Sequence, residues 1–150
     1  FEKYQVARTN KEGVSFLQAT FPNRKLKAFE LKKSDINPRE NALHLDCCFQ
    51  PIGNKQAILF EDGFKHPEDV TFLVDYFGEE NIIRINREEM YEMNSNVFSI
   101  SPKVIISEKR FIRLNSELRN RGFQVEEVPY AEIAKMEGLL RCSTMPLRRK

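Results

Sequence analysis

An α+β fold built from repeated β-β-α-β units is what this chain predicts, and three observations predict it. A glycine-turned strand pair, an amphipathic helix and a returning strand follow one another between residues 43 and 85. The same order recurs between residues 96 and 128. The glycines that end the two helices, Gly78 and Gly122, lie 122 − 78 = 44 residues apart. A fixed period of that length marks an internal repeat, in which neighbouring units cover each other's apolar faces.

Taken in order, Gly13 to Thr20 reads as a short strand, with a turn at Pro22 and Asn23, and Leu26 to Leu31 alternates like a strand. Ser34 to Glu40, with Asp35, Asn37 and Pro38, reads as loop. Leu43 to Ile52 reads as a strand, Gly53–Asn54 as a tight glycine-first turn, and Gln56 to Phe60 as its partner. Pro67, followed by Glu68 and Asp69, suits a helix start, since proline fits the first turn and carboxylates its positive end. Val70, Leu73, Val74 and Phe77 then form one apolar stripe, and Asn81 to Ile85 returns as a strand. In the second unit, Asn96 to Ile100 and Val104 to Ile106 read as strands around Ser101–Pro102, with Ser107 as a helix N-cap. Phe111, Leu114 and Leu118 form the stripe, Gly122 ends the helix, and Phe123 to Val128 is the returning strand. A short helical stretch near Ala131 to Met136 precedes Gly138 and a final strand.

Size and composition bound the function. A chain of 150 residues, 41% hydrophobic and with 12 phenylalanines, is long enough for one folded domain, residues 1–150. Two and a fraction units are too few to close a ring, and the chain opens at Phe1, so the expectation is the C-terminal half of a longer protein. Basic and acidic residues number 24 and 22, a balance that argues against nucleic acid. The one basic run, Arg148 to Lys150, reads as a solvated tail. No apolar run is long enough for a membrane span, and no signal segment opens the chain. The three cysteines, Cys47, Cys48 and Cys142, lack a disulfide or zinc-site spacing, which favours a reducing compartment, the cytoplasm, and no metal.

The residues able to do chemistry sit in two places. On a strand, His44, Asp46 and Cys48 would share one face and Leu43, Leu45 and Cys47 the other. A histidine beside a carboxylate on an apolar strand is costly to bury; spacing alone also suits a structural pair at a sheet edge. Cys142 would stand where the sheet meets a loop, a frequent position for functional groups, although spacing alone equally suits an inert buried thiol. Cys48 reads as a small buried filler, His66 as exposed and uninvolved, and Glu88, Glu89 and Glu92 as a solvated helix face. Asn94, Ser95 and Asn96 read as turn residues whose polar groups are within reach of a substrate tail.

Together, His44–Leu45–Asp46 and Leu140 to Leu147 (LRCSTMPL), 142 − 44 = 98 residues apart by histidine and cysteine, resemble the paired signature of the amidinotransferase and arginine-deiminase superfamily. Asn94 to Asn96, Ser101–Pro102 and Val128–Pro129 are similar to that superfamily as well, so the resemblance covers residues 40–150. It implies the pentein fold, a pseudo-five-fold β/α propeller of ββαβ units around a polar site, here its C-terminal repeats only. It implies that Cys142 is the nucleophile, His44 the general acid-base and Asp46 a substrate-binding carboxylate, with no cofactor and a small guanidino compound as partner. The implied activity is hydrolysis of an arginine-like guanidine, with amidino transfer to an amine as the alternative. Nothing in residues 1–40 matches the superfamily's upstream carboxylates, so a partial, non-catalytic binding module is a further alternative. Oligomeric state is not legible in the chain.

Overall fold

The computed structural model describes residues 9–136 and 138–147. The first helix, α1 (Lys11–Thr20), is held by the Asn10 side chain, which accepts from the Gly13 N–H at 2.9 Å. This cap corrects the strand expected at Gly13 to Thr20: local capping of the orphan helix N–H groups outweighs a short alternating pattern. The helix buries none of its residues, and Phe16 is 68% exposed. Leu26 to Leu31 is also not a strand. Its one ladder contact is a bridge from Leu31 to Phe64, flanked by backbone bonds from Lys65 N–H to the Glu30 carbonyl (2.9 Å) and from Lys32 N–H to the Gly63 carbonyl (2.8 Å), and side chains add to these. Lys27 pairs with the buried Asp69 at 2.7 Å, and Phe29 meets Phe64 edge to face.

The chain then makes one 3-10 turn (Pro38–Glu40) and a single helical turn, α2 (Leu45–Cys48), before strand β1 (Phe49–Ile52). The strand expected over Leu43 to Ile52 is therefore only half right. The Ser95 hydroxyl lies 2.7 and 2.8 Å from the carbonyls of Asp46 and Cys47, and its single hydrogen, shared between them, engages groups that a ladder would otherwise have used.

Two units of identical topology follow. In the first, β1 pairs antiparallel with β2 (Gln56–Leu59), helix α3 (Pro67–Phe77) crosses over, and β3 (Ile82–Arg84) returns parallel to β2. Helix α4 (Arg87–Tyr91) connects the units and starts with a reciprocal capping box between Asn86 and Glu89. In the second, β4 (Phe98–Ser99) pairs antiparallel with β5 (Val104–Glu108), helix α5 (Ile112–Asn120) crosses over, and β6 (Gln124–Val128) returns parallel to β5. Gly78 and Gly122 leave the two helices at φ 88° and 86°, a region costly for any residue with a Cβ. The repeat read from glycine spacing is thus a repeat of structure.

Ser107 is not the expected N-cap: it lies in β5, fully buried, and α5 starts beyond that strand's end with Phe111 at its cap. Buried Glu108 organises this exit, accepting from the N–H groups of Arg110 (3.1 Å) and Tyr130. The core is aliphatic, with Ile52, Ile58, Leu59, Ile83, Ile105, Leu114 and Leu118 each at most 2% exposed. Two arginines fasten the second unit to the first. Arg113 forks onto Glu89 at 2.5 and 2.6 Å, and Arg121 donates to the Glu80 and Ile82 carbonyls at 2.7 and 3.2 Å. Glu89 is therefore not part of a solvated face.

After the short helix α6 (Ala131–Ala134), residues 140–143 form a turn, not the start of a strand. Ser143 Oγ and Thr144 Oγ1 donate to the carbonyls of Leu139 and Leu140, which keeps the segment curled. The basic run Arg148 to Lys150 lies outside the described residues. No helix among the described residues is long and apolar enough to cross a membrane.

Candidate functional site

Asp46 lies near both His44, its neighbour at the entry to the first unit, and Cys142, in the turn of residues 140–143. His44 is the N-cap of α2 and Asp46 stands in its first turn, so a helical turn, not strand alternation, presents both. His44 Nδ1 lies 3.8 Å from Asp46 Oδ1, close enough for charge attraction when the imidazole is protonated but too far for a hydrogen bond. Cys142 Sγ lies 3.6 Å from Asp46 Oδ2. The side chains of His44 and Asp46 are 36% and 29% exposed, and Cys142 is exposed.

Cys48 does not share this face. It is fully buried, its sulfur fills the space where Gly63 lacks a side chain, and burial pushes its thiol far up. Cys47 is buried as well, and its thiol is likewise raised by burial. Of the three thiols, Cys142 alone combines exposure with polar neighbours. Its turn packs tightly against Gly138, where a side chain in place of the glycine hydrogen would put its Cβ 3.1 Å from the Cys142 Cβ. His66 is removed from the cluster; its Nε2 lies 3.1 Å from Glu30 Oε2.

Asn96 is the residue that sequence reasoning undervalued. It is fully buried, on the segment entering β4. Its Oδ1 accepts from the N–H groups of Arg141 (3.0 Å) and Cys142 (3.2 Å), and its Nδ2 lies 3.2 Å from both Asp46 Oδ2 and Cys142 Sγ. One amide thus touches the carboxylate, the thiol and the thiol's own backbone. The signal was in the repeat: β1 and β4 begin 98 − 49 = 49 residues apart, and Asp46 and Asn96 lie three and two residues before those starts. Ser95, from the same segment, holds the α2 turn beneath Asp46.

The electrostatic arrangement suits a planar cation. Asp46 Oδ2 is engaged by Asn96, whereas Asp46 Oδ1 is a buried atom with no hydrogen-bond partner among the described residues. An unpaired buried acceptor is costly, and an N–H donor arriving beside the thiol relieves that cost. A broad groove between α1 and the first unit, walled by Lys27, Glu30 and His66, reaches His44, but neither Asp46 nor Cys142 lines it. Among the described residues no three His, Cys, Asp or Glu side chains are grouped to hold a metal ion.

Comparison with known proteins gives a family and a fold. The family model for arginine deiminase matches residues 68–149, more than half of the chain. Protein YkgA of Bacillus subtilis, itself uncharacterized, is 32% identical over 114 residues, covering 76% of this chain and 38% of that protein. Among solved structures, SxtG, an amidinotransferase from Microseira wollei, superposes with a TM-score of 0.76 at 18% identity, covering 95% of this chain and 42% of that one. The N-terminal domain of an ArgZ variant covalently bound to a reaction intermediate gives 0.74 at 20% identity, covering 90% and 46%. At these identities the likeness is one of fold. The chain spans less than half the length of each of these relatives.

Proposed function

The chain belongs to the arginine deiminase family, and on that premise we propose that it carries the thiol half of a guanidino-modifying centre, in which Cys142 attacks an arginine-like compound. The observation that carries the reading is the meeting of Cys142 Sγ and Asp46 Oδ2 at 3.6 Å, with Asp46 Oδ1 beside them lacking a hydrogen-bond partner among the described residues.

The chemistry follows from the groups. A guanidinium carbon is a poor electrophile because its charge is spread over three nitrogens, so attack needs a thiolate rather than a hydroxyl. Asp46 accepts guanidinium N–H donors and holds the cation's plane against the sulfur; a carboxylate's two oxygens match that geometry. The Cys142 thiolate forms a C–S bond to the guanidinium carbon. The C–N bond to the departing nitrogen then breaks, and His44 gives that nitrogen its proton. A thiouronium adduct remains on Cys142. His44, now neutral, takes a proton from water as the oxygen adds to the same carbon. The C–S bond breaks, and a ureido product leaves with the thiol restored. The fold shared with an ArgZ domain seen covalently bound to a reaction intermediate supports a covalent path.

Amidino transfer differs only in the acceptor, an amine in place of water, and the fold shared with SxtG supports keeping it as the second reading. Incubation with a panel of guanidino compounds, followed by acid quench and intact-mass measurement, tests both. Hydrolysis gives a ureido product and a Cys142 adduct without added amine; transfer gives turnover only with an amine. A chain showing neither adduct nor product, and whose labelling by a haloacetamidine ignores arginine analogues, would be a binding module.

A further inference from the structure

We infer that Asn96 is a positioning residue for Cys142, setting both the place of the sulfur and the ease with which its thiol ionises. The inference deepens the proposed role of Cys142 and rests on it for its functional meaning. Four contacts from one side chain carry it. Asn96 Oδ1 takes the N–H of Cys142 at 3.2 Å and that of Arg141 at 3.0 Å, and this fixes the backbone from which the thiol projects. Asn96 Nδ2 lies 3.2 Å from Cys142 Sγ and 3.2 Å from Asp46 Oδ2, so its two hydrogens can serve both acceptors at once.

The two neighbours of the sulfur act in opposite directions. Asp46, 3.6 Å away, accepts a hydrogen bond from the neutral thiol and repels a thiolate. The Asn96 Nδ2 group that faces the sulfur can only donate to it, and a donor favours the charged form. Asn96 is fully buried, so its amide cannot exchange Sγ for water without a cost. The same residue also ties the carboxylate that receives the cation to the thiol that attacks it.

The test is the pH dependence of iodoacetamide alkylation at Cys142 in the whole chain, read by peptide mass mapping, which needs no guanidino substrate. In Asn96→Ala the midpoint of the rate profile is expected to move up by about one pH unit, slowing alkylation at neutral pH about tenfold. A purely structural role predicts the same factor of change at every pH and an unmoved midpoint, and that result overturns the inference. Should the variant not fold, the wild-type chain answers instead. The Asn96 side-chain amide resonances must titrate with the alkylation midpoint and cease to do so in Cys142→Ser; resonances that do not move across that midpoint overturn it. A shifted midpoint in a chain with no guanidino turnover upholds this inference while removing the enzymatic one.

Discussion

The two β-β-α-β units share a frame and differ in what leads into it. Both run an antiparallel hairpin, a crossover helix ended by a positive-φ glycine, and a parallel third strand. The first is entered through a helical turn bearing His44 and Asp46, the second through an irregular segment bearing Asn94 to Asn96. The exits from the central strands differ as well. β2 leaves into buried Phe60, whereas β5 ends on buried Glu108, whose carboxylate gathers the N–H groups of Arg110 and Tyr130. The frame needs only apolar alternation and a helix stop. Entry segments lie outside the ladders, so their polar groups are free to meet across units.

If chemistry resides in the entries and stability in the frame, substitutions should separate the two. The largest expected effect is at Cys142→Ala, where guanidino turnover should fall at least about a thousandfold while the melting temperature stays within a few degrees, because the residue is exposed. His44→Ala should follow with a loss of about a hundredfold or more, equally without unfolding. Steady-state product assays beside thermal melts measure both. A melt lowered as far as activity would break the comparison.

Frame substitutions should do the reverse. Glu108→Ala strands two N–H groups, which predicts about 2 kcal/mol of lost stability in denaturant titration. The junction between units offers a smaller, pH-dependent test at Glu89. Burial raises its carboxyl, but the Arg113 guanidinium and the Asn86 N–H outweigh burial and hold it below its ordinary value. A carboxyl depressed in the folded state adds stability that is complete above the unfolded value, about 4.3, and is lost as pH falls through the folded one. Wild-type stability should therefore decline below about pH 5, and Glu89→Gln should flatten that decline by about 1 kcal/mol. Parallel slopes in the two proteins would show that Glu89 does not join the units.

Legibility followed the same division. The hairpins, the crossover helices and the parallel returns were readable because apolar spacing and glycine stops are local signals. The misread elements had non-local or capping causes. The α1 helix rests on Asn10, and the α2 turn rests on a hydroxyl from Ser95, about fifty positions away. Ser107 has the composition of a cap, but the ladder to Glu127 extends β5 through it. At the site, family resemblance named His44, Asp46 and Cys142, yet the face expected for Cys48 followed from a strand that is not there. Asn96 was visible only as one of three turn-like polar residues.

By itself the sequence determined the repeat and the helix stops, because each depends on near neighbours in the chain. Only the tertiary structure decided that Asn96 stands between Asp46 and Cys142 and that Cys142 is the accessible thiol. Those facts depend on three segments separated by some fifty residues each, and no local pattern encodes the distance at which such segments meet.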